Sequence, residues 1–114
     1  MTADRTSQDK VREGLTAALD RKASAVLVFN LTDLTTMADY FVLSTASNDR
    51  QARAIADSIV ERLGPAVSVE GLQTARWILM DYGDVVVHVF EQDVRAFYDL
   101  ERLWADVPRI AWQS

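Results

Sequence analysis

The stretch WILMDYGDVVVHVF, residues 77–90, decides how the second half of this chain folds. Two apolar runs flank a short polar turn, and Gly83 in that turn can adopt the positive φ that tight hairpin turns require. Either Tyr-Gly or Gly-Asp can supply the two central turn residues. The pattern predicts an antiparallel strand pair over 75–82 and 84–91.

Side chains alternate along a strand, so an even-length loop sorts this hairpin into two faces. The face expected to point into the core is nearly all apolar and carries Arg76, Ile78, Met80, Tyr82, Val85, Val87 and Val89. The other face is aromatic but includes a carboxylate and an imidazole, and it carries Trp77, Leu79, Asp81, Val86, His88 and Phe90. An odd-length loop would scramble this grouping.

The mixed face suggests a binding surface. Burying it would leave Asp81 and His88 in need of hydrogen-bond partners. Exposing it fully would show a large aromatic patch, which soluble monomers avoid unless they bind something. Aromatic residues beside isolated polar groups are typical of protein–protein interfaces.

Working outward, apolar periodicity predicts a first helix over about 8–21. Its buried face carries Val11, Leu15, Ala18 and Leu19. Short runs rich in β-branched and aromatic residues predict strands over 24–31, 39–46 and 65–70. With the hairpin, these strands predict an α/β (α+β) fold, a mixed sheet of about five strands with helices packed on it.

The clearest helix is SNDRQARAIADSIVERLG, residues 47–64. Asn48 is its predicted N-cap, and Gln51 three residues later predicts a capping box. Gly64 is the predicted left-handed residue at the C-terminal end, where Pro65 prevents continuation. The apolar stripe consists of Ala52, Ile55, Ala56, Ile59 and Leu63.

A final helix is predicted over 93–104, and the tail after Pro108 has no clear pattern. This helix offers Phe97, Leu100 and Trp104 on one side, with Tyr98 and Glu101 near another. Around it, acidic side chains outnumber Arg95 and Arg102 and form an acidic rim that consists of Glu91, Asp93, Asp99, Glu101 and Asp106.

Length and composition fit a single domain of 114 residues, with 49% hydrophobic and 25% charged residues. The chain has no cysteine, which excludes disulfides, thiolate metal sites and cysteine nucleophiles. The N-terminus lacks the apolar core of a signal peptide, and no apolar run approaches the roughly 18 residues that span a bilayer. We therefore expect a cytoplasmic protein without a membrane partner.

The net charge of −5 argues against nucleic acid as the main partner, because the basic residues are scattered along the sequence. A basic protein partner fits this charge better, since opposite potentials steer association. We expect no direct DNA binding and at most a minor contact with RNA.

Catalytic and metal-binding interpretations of the same residues are weaker. His88 as a general base needs a nucleophile or acid beside it, and no serine motif is present, so a hydrogen-bonded or half-exposed strand histidine is the simpler interpretation. Asp81 and Asp84 invite a magnesium–phosphate site, but no phosphate-binding glycine motif accompanies them, and turn aspartates commonly bond their own backbone. Trp77, Phe97 and Trp104 can each be core residues.

The chain closely resembles the ribosomal silencing factor RsfS family, also called the YbeB or Iojap family, over about residues 8–105. The resemblance rests on Lys22, ADYFVLSTASNDRQARAIAD (38–57), EG (70–71), the hairpin stretch, Arg95 and FYDLERLW (97–104). It implies one domain with a core over about 8–105, a nucleotidyltransferase-like fold without the catalytic motif, no cofactor and no enzyme activity.

The resemblance also implies a partner. Family members bind the large ribosomal subunit through its protein L-fourteen, block joining of the small subunit, and repress translation under starvation or in stationary phase. Free members are often homodimers. The partner-binding positions carried over by motif are Trp77, Asp81, Tyr82, His88, Phe90, Tyr98, Leu100, Leu103 and Trp104. A role in large-subunit assembly is the alternative, and a cryptic nucleotidyltransferase is a further one.

Overall fold

The computed structural model describes residues 6–33, 36, 38–94 and, for the backbone alone, 109–110. Two helices and six strands follow one another along these residues. In chain order they are α1 (Ser7–Asp20), β1 (Ser24–Asn30), β2 (Tyr40–Ala46), α2 (Asp49–Leu63), β3 (Ser68–Glu70), β4 (Trp77–Asp81), β5 (Val85–Glu91) and β6 (Arg109–Ile110).

The strands form one mixed sheet in the order β3-β4-β5-β2-β1-β6. Only β2 and β5 pair in parallel, and the four other neighbouring pairs are antiparallel. Two pairs of neighbouring strands, β2 with β5 and β1 with β6, are not consecutive along the chain, so the chain crosses the sheet between β2 and β5 and again between β5 and β6. The predicted mixed α/β architecture is therefore confirmed, and the described residues add a sixth strand of two residues that the sequence pattern did not indicate.

Helix α1 begins with a reciprocal cap, in which Thr6 and Asp9 each accept a hydrogen bond from the other's backbone N–H. Val11, Leu15 and Ala18 are buried, as predicted. Leu19 is 42% exposed, so its assignment to the buried face was wrong. Leu19 lies in the last turn of α1 at the edge of the apolar stripe, where a small rotation of the helix exposes a side chain to solvent.

Helix α2 is capped by Asn48, whose side chain accepts from the N–H of Gln51 at 2.8 Å. The predicted capping box is only partly right, because the Gln51 side chain accepts from Ser47 rather than from Asn48. Gly64 ends the helix with φ +82° and ψ −170°, a conformation almost restricted to glycine, rather than in the left-handed helical region.

The hairpin turn is Gly83-Asp84, flanked by a hydrogen bond from Tyr82 N–H to the carbonyl of Val85. Gly83 has φ +87°, as the turn requires. The pairs formed across the hairpin include Trp77 with Phe90, Ile78 with Val89, Leu79 with His88, Met80 with Val87 and Asp81 with Val86. The even-length loop and the two predicted faces are therefore confirmed. Arg76 is the exception, since it precedes β4 and is exposed.

Two apolar clusters lie on opposite faces of the sheet. The larger one joins both helices to the sheet through residues such as Leu15, Ile59, Val42 and Val87. The smaller one is on the other face and centres on Phe29, Leu43 and Phe90, which are fully buried, with Leu31, Ala38 and Val94 around them. Both faces of the central strands β2 and β5 are therefore packed.

The final predicted helix lies mostly outside the described residues. Helical backbone is present at 92–94, directly after β5, and the description stops there until 109. In the part of the chain that the structure describes, no helix is long and apolar enough to cross a membrane.

Candidate functional site on the outer face of the hairpin

The sheet face opposite α1 and α2 carries a cluster of aromatic rings from three adjacent strands. Phe41 comes from β2, Trp77 from β4, and His88 and Phe90 from β5. The ring centroids of Phe41 and His88 are 4.8 Å apart with an edge-on geometry, and those of Trp77 and Phe90 are 4.9 Å apart. Because β2, β5 and β4 are neighbours in the sheet, alternate residues of each strand meet on this face.

His88 is held as a neutral ring inside this cluster. It is only 3% exposed, and burial lowers its pKa to about 4. The indole N–H of Trp77 donates to His88 Nδ1 at 3.2 Å, and an indole N–H can only donate. The neutral imidazole therefore carries its proton on Nε2. Of the two structural alternatives for His88, the described geometry is the hydrogen-bonded one, with the ring buried rather than half-exposed.

The two turn aspartates are bonded to different groups. Asp81 Oδ1 accepts from the N–H of Gly83 at 2.7 Å, the self-capping bond expected of a turn aspartate. Asp84 Oδ1 lies 2.6 Å from Lys10 Nζ, and its other oxygen accepts from Ser7 Oγ. Burial alone would raise the pKa of Asp84, but the hydrogen bonds from Lys10 and Ser7 lower it overall.

Asp84, in the turn, is thus bonded to α1, whereas Asp81, at the end of β4, is bonded to the turn backbone. Among the residues that the structure describes, no group of three or more His, Asp or Glu side chains is arranged to hold a metal ion. The geometry therefore gives no support to the magnesium–phosphate interpretation of this pair.

Tyr82 lies on the helix side of the sheet, away from Trp77. It is buried, its hydroxyl donates to the carbonyl of Gly64 at 2.8 Å, and burial raises its pKa. Phe90 is on the outer face but is fully buried. The structure thus gives Tyr82 and Phe90 packing roles and does not bring them to the surface that Trp77 borders.

The accessible side chains of the outer face include a row formed by alternate residues of β4, next to the half-buried Phe41 of β2 and Val86 of β5. Trp77, Leu79 and Asp81 are all half-buried, and we call them the β4 outer row. Beside the row lies a groove of about 350 Å³, lined among the described residues by Glu70, Gly71, Trp77 and Leu79. Leu79 was predicted to lie on this face between Trp77 and Asp81 but was not among the predicted partner-binding residues, and neither was Glu70.

Gly71 shapes one wall of this groove. Its φ is +87°, and a Cβ at this position would lie 2.0 Å from the carbonyl oxygen of Trp77. A backbone atom cannot yield to such an overlap. The close approach of the two chain segments explains why a glycine follows Glu70 in the EG pair.

Four of the predicted site residues lie outside the described part of the chain. They are Tyr98, Leu100, Leu103 and Trp104.

Comparison with known proteins assigns the chain to a family. The sequence model described as "Ribosomal silencing factor during starvation" matches residues 4–114. The chain belongs to the ribosomal silencing factor RsfS family. A ribosomal silencing factor RsfS from Halalkalibacterium halodurans is 37% identical over 109 residues, covering 92% of this chain and 93% of that protein.

Structural comparison agrees with this assignment. A crystal structure of a protein from Chromobacterium violaceum superposes with a TM-score of 0.83 and 31% identity, covering 89% of this chain and 88% of that one. A more distant relative is the mouse protein named "Mitochondrial assembly of ribosomal large subunit protein 1", 32% identical over 73 residues, which cover 58% of this chain and 32% of that protein. The RsfS relatives are named as regulatory factors rather than as enzymes.

Proposed function

We propose that this chain is a cytoplasmic ribosomal silencing factor that acts by binding, without catalysis. It binds the large ribosomal subunit through protein L-fourteen and blocks joining of the small subunit, which lowers translation under starvation or in stationary phase. The observation that carries the proposal is membership of the RsfS family over residues 4–114.

The β4 outer row supplies the accessible part of the proposed partner surface. Trp77 and Leu79 offer apolar area, and half-buried aromatic side chains are frequent anchors of protein interfaces. Asp81 and the exposed Glu70 place negative charge beside that apolar area. This combination favours a partner with lysine or arginine around an apolar patch.

Two of the partner-binding positions implied by the family resemblance, His88 and Phe90, are buried beneath the β4 outer row and support it. His88 holds the indole of Trp77 through Nδ1, and Phe90 packs against the same indole. Holding an anchor side chain in one orientation reduces the entropy lost on binding. Tyr98, Leu100, Leu103 and Trp104 remain proposed partner contacts from the last predicted helix.

Blocking requires no chemistry. A protein of 12.8 kDa seated on the face where the subunits meet excludes the small subunit by volume. Its effect then depends on its affinity and concentration relative to the joining equilibrium. Starvation can strengthen such silencing simply by changing the ratio of factor to ribosomes.

The test compares Leu79→Ser with the control Leu19→Ser. Leu79 lies in the β4 outer row, whereas Leu19 is an exposed leucine on α1, behind the opposite face of the sheet. We expect Leu79→Ser to weaken binding to isolated large subunits about tenfold or more and to restore subunit joining, while Leu19→Ser binds as the wild type does. Circular dichroism checks that both variants fold.

The outcomes separate two failures. If the wild type does not bind large subunits, or binds without hindering joining, the proposed function fails. If the wild type blocks joining and Leu79→Ser blocks it equally well, the silencing function stands and the β4 outer row is not the partner surface.

A role in large-subunit assembly is the second candidate, and the relationship to the mouse mitochondrial protein favours it. Depletion of the factor from growing cells would then cause immature large-subunit particles to accumulate in sucrose gradients. Normal particles after depletion would reject this role. Homodimer formation by the free chain is also proposed, and sedimentation velocity measures it directly.

A further inference from the structure

Positive charge in the described residues is unevenly neutralised. Lys10, Arg12, Arg53 and Arg62 each lie within 3.7 Å of a carboxylate. Four exposed cations make no ion pair with any carboxylate in the described part of the chain. Arg76 lies apart from the others, just before β4, and the other three are Arg21, Lys22 and Arg50.

These three cations meet where the end of α1 contacts the start of α2. The amide of Gln51 donates to the carbonyls of Arg21 and Lys22, at 2.9 and 3.0 Å. Arg50 is the residue before Gln51, in the first turn of α2. The same hydrogen bonds thus bring all three basic residues to one place, which we call the basic corner.

The acidic residues that adjoin the basic corner in sequence are already engaged. Asp20, beside Arg21, lies 2.8 Å from the guanidinium of Arg62. Asp49, beside Arg50, lies 3.1 Å from Arg53. Since both carboxylates have their own cations, they do not cancel the charge of the corner.

We propose that the basic corner contacts the phosphate backbone of ribosomal RNA when the chain is docked on the large subunit. This inference rests on the proposed function, because the docked state supplies the RNA. A chain with a net charge of −5 is repelled by a polyanionic particle, and a local group of free cations offsets that repulsion where the two touch.

RNA phosphate suits the corner better than an acidic protein does. The three side chains stand exposed at helix ends, whereas protein interfaces centre on buried apolar anchors. Two of the three are arginines, whose planar guanidinium binds phosphate oxygens in pairs. The corner lies on the helix side of the sheet, so the β4 outer row remains available for a protein partner.

The experiment measures the affinity for isolated large subunits as a function of KCl concentration. The double variant Lys22→Gln/Arg50→Gln removes two charges from the corner. The control Arg12→Glu changes the net charge by the same amount at an exposed site on α1, away from the corner. Each lost phosphate contact lowers the slope of log affinity against log salt by roughly 0.7 to 0.9.

We expect the slope of log affinity against log salt to be less steep for the double variant, by the amount that two phosphate contacts contribute. The factor by which affinity falls between 50 and 200 mM salt should then be about tenfold smaller than for the wild type. Arg12→Glu should keep the wild-type slope. An equal slope for all three proteins overturns the RNA contact, even though the proposed function survives if they all bind and block joining. Absence of wild-type binding would instead reject the proposed function.

A crosslinker identifies the contacted molecule. With Arg50→p-benzoylphenylalanine, irradiation of the docked complex should attach the chain to RNA, seen as a product sensitive to ribonuclease. Attachment only to a ribosomal protein would overturn the assignment to RNA and favour an acidic protein contact.

Discussion

The effect on stability of replacing a glycine by alanine depends on the surroundings of that glycine, as Gly71 and Gly14 show. A Cβ at Gly71 would overlap the carbonyl of Trp77, whereas a Cβ at Gly14 would meet Val87 at 3.8 Å, an ordinary contact distance. Gly71→Ala should therefore lower the free energy of unfolding by about 3 kcal/mol or more, because positive φ and a backbone clash act together. Urea denaturation measures it.

Gly14→Ala is the matched control, with the opposite sign. Gly14 lies inside α1, where alanine is favoured over glycine by about 0.5–1 kcal/mol. The contact with Val87 adds packing without overlap. A loss of stability in Gly14→Ala, or an unchanged stability in Gly71→Ala, would contradict the local geometry described for these glycines.

His88 makes stability depend on pH in a defined window. Its pKa is about 4 in the folded chain and about 6.5 when unfolded, so the unfolded state binds the proton more readily between these values. The stability associated with neutral His88 is therefore present above pH 6.5 and is lost as the pH falls towards 4. The loss is on the order of 3 kcal/mol, because a tenfold change in proton affinity corresponds to roughly 1.4 kcal/mol and the pKa falls from 6.5 to about 4.

His88→Gln isolates this contribution, since the amide oxygen of glutamine can accept from the Trp77 indole without titrating. The difference in unfolding free energy between wild type and His88→Gln should shrink as the pH falls from 6.5 to 4. Carboxylates such as Asp84 titrate in both proteins and cancel in that difference. A constant difference across this range would show that His88 is not held neutral by burial.

At the scale of the element, the end of α1 places lysine where glycine is usual. The N–H groups of Lys22 and Ala23 bond to the carbonyls of Leu19 and Ala18, the Schellman arrangement, and Lys22 itself has φ +63°. Lys22→Gly should raise the unfolding free energy by about 1 kcal/mol, because a side chain in the left-handed region is strained. Thermal unfolding tests the gain.

The same substitution should weaken the binding of large subunits, since it removes a charge from the basic corner. Stability and binding would then move in opposite directions in one variant. Lys22→Gln serves as the control, because it removes the charge while keeping a side chain. Equal weakening in both variants, with a stability gain only in Lys22→Gly, is the expected result; tighter or unchanged binding in both would argue against the corner.

The elements most fully predicted from sequence were those with several agreeing local signals. In α2, an N-cap, an apolar stripe and a Gly-Pro stop coincide, and in the hairpin two alternating runs surround a glycine turn. The errors concern ends and edges. A shift of one residue in helix rotation or strand register decides whether a side chain at such a place is buried and which group it bonds. Tertiary contacts fix that shift, and the cases here are the burial of Leu19, the burial of Arg76 and the hydrogen-bond partner of Gln51. The two-residue β6 has no local signal, because its pairing with β1 is entirely non-local.

At the scale of the whole molecule, the site was harder to predict than the fold. Alternation placed Trp77, Asp81, His88 and Phe90 on one face, and the structure confirms this grouping. Alternation does not predict, however, how deeply each side chain on that face is buried. β4 has a three-residue neighbour on one side while β5 lies between two long strands, so the same face is half-open at Trp77 and closed at Phe90. Burial thus depends on strand order, which the residues alone left undetermined.

A polar link between distant segments supports the packing of α1 on the sheet. Lys10 Nζ contacts Asp84 Oδ1 at 2.6 Å and the carbonyl of Tyr82 at 3.2 Å, and the carbonyl of Asp84 accepts from the N–H groups of Asp39 and Tyr40. One lysine therefore ties α1 to the hairpin turn, and the turn is tied to the start of β2. The two Lys10 bonds span more than 70 residues of sequence, so they form only when α1 packs against the hairpin turn.

The last prediction concerns this link and is tested by a double-mutant cycle with Lys10→Met and Asp84→Asn. Because both side chains are about three-quarters buried, their coupling energy should be about 1–2 kcal/mol, above the value for a surface pair. The lowered pKa of Asp84 means that its contribution is present above its ordinary pKa near 3.8 and is lost as the pH falls through the folded value. The surface pair Arg53–Asp49 is the control and should couple by less than 1 kcal/mol. If the two cycles give equal coupling, or if added magnesium changes the effect of Asp84→Asn, Asp84 does more than hold α1 to the turn.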